Sequence, residues 1–234
     1  MIALISSNNT YHRIPTIRTK WLDRISIPYV IITGNPLLDT EYQYNAETHE
    51  CILKCDDSYE GLPDKMSKAF KFIKEKFDPA FLFKVDDDVI IDVDKLNAFL
   101  HLNITAEYVG TTVSGYEYKY CGGPMYRLGP NALECLSKHF HFTHTKAEDY
   151  SVGCTLKIYA NIDPIHIQLY TDNYQHFIRN ISIAFHDTTR ILVNKDKDGY
   201  IKSKLPEPQY SPNHPLMQRR RHIPKFSNIL NQKR

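Results

Sequence analysis

The sequence predicts a single-domain α/β protein with a mixed, mostly parallel central sheet flanked by helices. Three observations carry this. The strand-length runs "MIALIS", "PYVIITG" and "AFLFKV" are almost continuously apolar, as strands covered on both faces are. Segments with apolar residues at helical spacing fall between them, and that alternation is the pattern of a parallel sheet. The third is "FLFKVDDDVIID", residues 81–92, which drives an apolar strand into three carboxylates at the edge where open α/β sheets bind ligands.

The first strand is "MIALIS", and after it Ile14, Ile17, Trp21 and Ile25 recur at helical spacing. "PYVIITG" (28–34) is the second strand and "CILKC" a short third. Residues 62–77 form a helix with Met66, Ala69, Phe70, Ile73 and Phe77 on one face, and residues 80–85 the fourth strand. A helix follows at "DVDKLNAFL", then a strand at "YVGTTV". "PNALECLSKHF", opened by Pro130, and "AEDYSVGCTLKIYA" are further helices. The Pro-rich "KLPEPQYSPNHP" reads as extended surface chain, so the catalytic domain is assigned to 1–205 and a tail to 206–234.

Composition is that of a globular protein, with 42 % hydrophobic and 24 % charged residues. No stretch approaches the roughly 20 apolar residues of a membrane helix, and the N-terminus lacks the layout of a secretory signal. Five scattered cysteines suit reduced thiols, and Cys51 and Cys55 have no second pair at zinc spacing. Net charge is +2, but residues 219–234 hold six cations and no acid, leaving the rest at −4. That tail is read as a solvated segment capable of peripheral membrane contact.

Adjacent carboxylates repel unless a cation joins them. Oxygen ligands in this number suit Mg²⁺ or Mn²⁺, which keep positions open for substrate phosphates. Phosphohydrolases, nucleases or polymerases, and nucleotide-sugar transferases all use such a site. A phosphohydrolase built on Asp86 and Asp88 is weakened by Ile90 and by the lack of a clear Ser/Thr strand end. A nucleic-acid enzyme needs a basic channel, and the body of this chain is acidic, so no nucleic-acid partner is expected.

"CDDSYEGLPDKM", "FLFKVDDDVIID", "YCGGPMYRLG" and "EDYSVG" together resemble, in order and spacing, the family 31 glycosyltransferases, the inverting β-1,3-galactosyl- and N-acetylglucosaminyltransferases and Fringe relatives. "IRTKW" is similar to the element that opens that family's domain. The resemblance implies a GT-A type fold, Mn²⁺ (or Mg²⁺) as cofactor, a nucleotide-sugar donor, a UDP-sugar by that family's pattern, and a glycan or glycoprotein acceptor. Residue by residue it implies Asp88 and Asp86 as metal-site acids, with His186 of "AFHD" as a further metal ligand. It places Asp57, Lys65, Asp86, Asp87, Gly122 and Gly123 at the bound donor, and makes Asp149 the catalytic base. "YCGGPMY" departs from the family's pattern, with Gly122 for Ser and Met125 for a Gly, which bears on sugar and acceptor preference.

Two other readings stand beside this. "HFHFTH" (His139, His141, His144) invites a zinc hydrolase, but its spacing does not put three imidazoles on one helical face. A sugar-binding protein of the same fold would lack the base or a metal acid, and both are present. Tyr116, Tyr118, Tyr120 and Tyr126 suit either sugar stacking or half-buried strands. The expectation is a metal-dependent inverting glycosyltransferase. Because the chain begins almost at its first strand, the expected location is cytoplasmic (host cytoplasm if viral), with a surface or capsid glycan as product.

Overall fold

The computed structural model describes residues 1–140, 147–179 and 182–188. The chain divides into Met1–Asn194 and Lys195–Arg234. All described residues belong to the first unit. The expected boundary after 205, the basic tail, and His141 and His144 lie outside the described residues.

Four strands form the parallel heart of the sheet: β1 (Ile2–Ile5), β2 (Tyr29–Gly34), β4 (Glu50–Leu53) and β5 (Leu82–Asp86). An antiparallel edge strand, β3 (Tyr42–Asn45), lies beside β4. β5 pairs antiparallel with β8 (Tyr120–Leu128), and β8 antiparallel with β7 (Tyr108–Val113). With β9 (Ile165–His166) on the far side, the eight-stranded order is β3-β4-β2-β1-β5-β8-β7-β9. The expected mixed, mostly parallel α/β sheet is what forms. β3 and β8 were not read as strands: β3 is a largely exposed edge without an apolar run, and β8 carries two glycines and a proline.

Helices cover both faces. α1 (Ile14–Lys20) and the following Trp21 bury Ile14, Ile17 and the indole, whose Nε1 donates to the Val89 carbonyl at 3.2 Å. On the other face α2 (Leu62–Phe77), α4 (Pro130–His139) and α5 (Glu148–Ala160) pack on one core with Phe70, Ile73, Leu133, Leu136 and Leu156. α3 (Val93–Leu100) is capped by Asp92, whose side chain accepts from the Lys95 amide, so none of the three preceding acids is spent as a cap. A second, three-stranded sheet, β10 (Tyr170–Thr171), β11 (Ala184–His186) and β6 (Val89–Ile91), stands at the carboxyl end of β5. α6 (Tyr174–Ile178) lies between β10 and β11 in the chain. All five cysteines are free and buried, as reduced thiols are expected to be.

Candidate active site

Strand periodicity decides where the three carboxylates go. Lys84 and Asp86 are two apart on β5 and share a face, whereas Asp87 turns to the opposite one. Lys84, 1 % exposed, reaches Asp86 Oδ1 at 2.6 Å, donates to the Gly123 carbonyl at 2.6 Å and lies 3.6 Å from Glu148. Burial opposes the ammonium, but Asp86 and Glu148 hold it protonated, above the usual lysine range. Desolvation raises the Asp86 carboxyl to about 7 against the pull of Lys84. Tyr126, the cross-strand partner of Lys84, donates to Glu148 at 2.7 Å, and burial pushes Glu148 up as well.

Asp87 faces the α1 side and is buried. It accepts from Ser6 Oγ at 2.7 Å, from the Thr10 hydroxyl, and from Arg13 Nη1 at 2.6 Å. Both its oxygens are engaged inside the fold. Its carboxylate fastens the loop after β1 and the start of α1 to the end of β5.

Asp88 sits in the turn between β5 and β6. Because β6 pairs antiparallel with β11, His186 falls opposite Val89, and the Asp187 amide donates to the Asp88 carbonyl at 2.8 Å. This register puts His186 Nε2 3.5 Å from Asp88 Oδ1, while Nδ1 meets Asp172 at 2.9 Å. Desolvation works against the imidazolium, but Asp172 and Asp88 outweigh it and raise His186 to about 9. Each of the three acids thus has its own cation: Lys84, Arg13 or His186.

Among the described residues, no three His, Cys, Asp or Glu side chains are grouped to hold a metal ion. Asp86 pairs with Lys84, and Asp88 with His186. The donors that do meet, one carboxylate and one imidazole oriented by a second acid, suit a hard divalent ion that completes its shell with phosphate oxygens and water.

Asp149 lies in the first turn of α5, where the helix dipole favours an acid. It accepts from the Gly123 amide at 3.0 Å and the Tyr150 amide at 2.9 Å. α5 comes this close only because of Gly153, where a β-carbon would stand 2.6 Å from Tyr120 Cβ and 2.9 Å from the Lys119 carbonyl. Gly123 therefore links the two arms of the site, with Asp149 on its amide and Lys84 on its carbonyl. Beyond Asp149, Tyr116, Tyr120 and Tyr150 form a trio with ring centroids 5.3 to 5.6 Å apart, and Tyr116 is 60 % exposed.

At the other end of the sheet edge, Asp57 accepts from the amides of Asn8 (2.6 Å) and Gly34 (2.7 Å) and pairs with buried Lys65 at 2.5 Å. Lys65 also donates to the Ser6 carbonyl at 2.9 Å, so this pair ties together the chain leaving β1, β2 and β4. A cavity of about 250 Å³ opens nearby, lined by Asn8, Tyr11, Ile31, Thr33, Glu50 and Ile52.

The structure therefore joins Asp86, Gly123 and Asp149 through Lys84, joins Asp88 to His186, and sets Asp57 and Lys65 apart from both. Gly122 packs under Tyr170. Sequence reasoning missed Lys84, Tyr170 and Asp172. Only Lys84 left a signal, a lone cation inside an apolar strand two residues before the first acid. His139 of the three-histidine segment stacks on Tyr159 at 4.8 Å.

An acidic, cation-matched strand edge thus faces a helix-borne carboxylate at the edge of an α/β sheet. Residues 43–118 match the family model described as galactosyltransferase, the domain of the family 31 enzymes that the motifs resemble, and this supports a glycosyltransferase. The matched stretch contains Asp57, Lys65 and Asp86 to Asp88 and ends before Gly122, Asp149 and His186. No curated protein matches the chain. Among solved structures it is similar to a glycosyltransferase involved in the glycosylation of the major capsid of PBCV-1, at 12 % identity and a TM-score of 0.48 over 80 % of this chain and 92 % of that one. A second is A197 from STIV, at 12 % identity and a TM-score of 0.41 over 71 % and 80 %. No helix among the described residues is long and apolar enough to cross a membrane.

Proposed function

We propose that this chain is a metal-dependent inverting glycosyltransferase that moves a sugar from a nucleotide sugar, a UDP-sugar by the family resemblance, to a hydroxyl of a glycan acceptor. The observation that carries the reading is the arrangement around Gly123, with Asp149 on its amide and the Lys84–Asp86 pair on its carbonyl. Inversion needs a base on the acceptor side and charge stabilisation on the leaving-group side, from separate groups.

In this reading Asp88 and His186 would hold Mn²⁺ or Mg²⁺, and Asp172 keeps the imidazole oriented. The ion would supply Lewis-acid stabilisation of the departing diphosphate. Asp149 takes the proton of the acceptor hydroxyl as the new glycosidic bond forms. Lys84 holds Asp86 and the Gly123 peptide in place, so the base does not have to reorganise during the reaction. The tyrosine trio beside Asp149 offers aromatic faces to the acceptor sugar, and Asp57 with Lys65 forms the wall along the nucleotide.

The test is nucleoside diphosphate release and product formation across a panel of nucleotide sugars with Mn²⁺, with the anomeric configuration of the product read by NMR. Transfer with inversion that stops on chelation supports the reading. Donor binding without turnover would turn it into a sugar-binding protein, and phosphate release from simple phosphate esters would favour a phosphohydrolase.

A further inference from the structure

A β-carbon built on Gly122 would stand 2.2 Å from the hydroxyl oxygen of Tyr170 and 3.3 Å from the ring carbon that bears it. The phenol therefore lies directly on bare β8 backbone, one residue before the glycine that holds Asp149. Its position is fixed by the second sheet, in which Tyr170 pairs with Ala184 and Thr171 with Phe185. The ring stands edge-on to His186, with centroids 6.1 Å apart at 90°. The charges of Asp172, Asp149, Lys84 and Asp86 all act on it. Tyr170 thus bridges the Asp88–His186 arm and the Asp149 arm of the site.

Tyr170 is half-buried, and among the described residues its hydroxyl makes no hydrogen bond to the protein and is not sealed from solvent. A phenol whose ring is fixed and whose hydroxyl has no protein partner is available to hydrogen-bond a ligand atom. A sugar hydroxyl both donates and accepts, so it satisfies a phenol in either sense. On the reading proposed above, the transferred sugar must lie between the diphosphate arm and the base, and Tyr170 lies against His186 of the one and against Gly122 beside the other.

We propose that Tyr170 is a specificity-determining residue whose hydroxyl hydrogen-bonds a ring hydroxyl of the transferred sugar, and that Gly122 lacks a side chain to admit it. The proposal rests on the glycosyltransferase reading, and the test separates the two.

The wild-type enzyme is first assayed for transfer with Mn²⁺ and a panel of nucleotide sugars; no transfer from any donor overturns the reading and the proposal with it. With transfer in hand, the accepted donor is compared with its singly deoxygenated analogues. The wild type should prefer the parent over one analogue by about tenfold in kcat/KM, the scale of one net hydrogen bond. Tyr170→Phe should lose that preference, using both donors at the rate the wild type shows for the analogue, while its affinity for the free nucleoside diphosphate stays within twofold. Gly122→Ala, which displaces the phenol but keeps it, should show the same loss. If Tyr170→Phe keeps the wild-type preference, or if diphosphate binding falls in parallel with transfer, the hydroxyl serves packing and the proposal is wrong. Should the Phe variant fail to fold, the Gly122→Ala result decides by the same criterion.

Discussion

Replacing Asp87 by Ala separates the middle acid of the triad from its neighbours, because it is the only one held wholly inside the fold. The change removes the carboxylate beside Arg13, where both side chains are under 10 % exposed, and the acceptor for Ser6 and Thr10. Breaking a buried ion pair from one side costs about 3–5 kcal/mol, because the remaining charge stays in a low-dielectric setting. A domain of 150–250 residues loses about 2–4 °C in Tm per kcal/mol. The expected loss is thus on the order of 6–20 °C. Thermal unfolding followed by circular dichroism measures it, and calorimetric titration with UDP and Mn²⁺ at a temperature where both proteins are folded measures binding. The variant should melt early yet bind within a few-fold of wild type. A Tm within about 2 °C of wild type combined with abolished binding would refute the structural role and assign Asp87 to the nucleotide.

Asp88→Asn should do the opposite, removing Mn²⁺-dependent UDP binding in calorimetry while Tm moves by less than a few degrees, because a neutral amide is a poor ligand for a hard ion. Asp149→Asn should keep UDP affinity, since the Gly123 amide can still donate to the amide oxygen, but lower turnover about 10²- to 10⁴-fold, the usual worth of a general base; near wild-type transfer would pass the role to another group. Tyr116→Ala should raise the acceptor KM several-fold with the donor KM unchanged in steady-state kinetics, and equal values would exclude an acceptor platform. Gly153→Ala should lower Tm and turnover together, because its methyl meets backbone that cannot yield.

The parallel heart of the fold was legible because β1, β2 and β5 are buried on both faces and write that into uninterrupted apolar runs. The helix at Leu62–Phe77 was legible to the residue, since its apolar face and its Pro at the start agree. β8 was not, because "YCGGPMYRL" has the composition of a loop; it is a strand because Lys84 and Phe83 on β5 need a partner and the glycines admit Tyr170 and the Asp149 contact. The site divided the same way. Asp149 and Asp88 were singled out through motifs, but the sequence showed three equivalent acids in a row and could not tell that pleating would send Asp87 to Arg13. Tyr170 and Asp172 lie on a two-residue strand and its exit, too short for any periodic signal.

Lys84 explains why this edge can hold so many acids without unfolding. Its ammonium is within 3.6 Å of both Asp86 and Glu148 and bonds the carbonyl of the peptide beside the Asp149 anchor. An isolated buried lysine would lose its proton, and an isolated buried Asp86 or Glu148 would gain one; together they offset part of each other's desolvation and hold the Lys84 ammonium at the site before any substrate arrives. Such preorganisation is what electrostatic catalysis requires, since dipoles that must turn during the reaction give back much of what they stabilise. It also leaves Asp88 as the acid of the triad whose carboxylate meets a histidine rather than a permanent cation. Lys and Arg cannot ligate a metal, whereas imidazole can once neutral. Of the three neighbours, Asp88 is therefore the one whose present partner can turn into a fellow ligand.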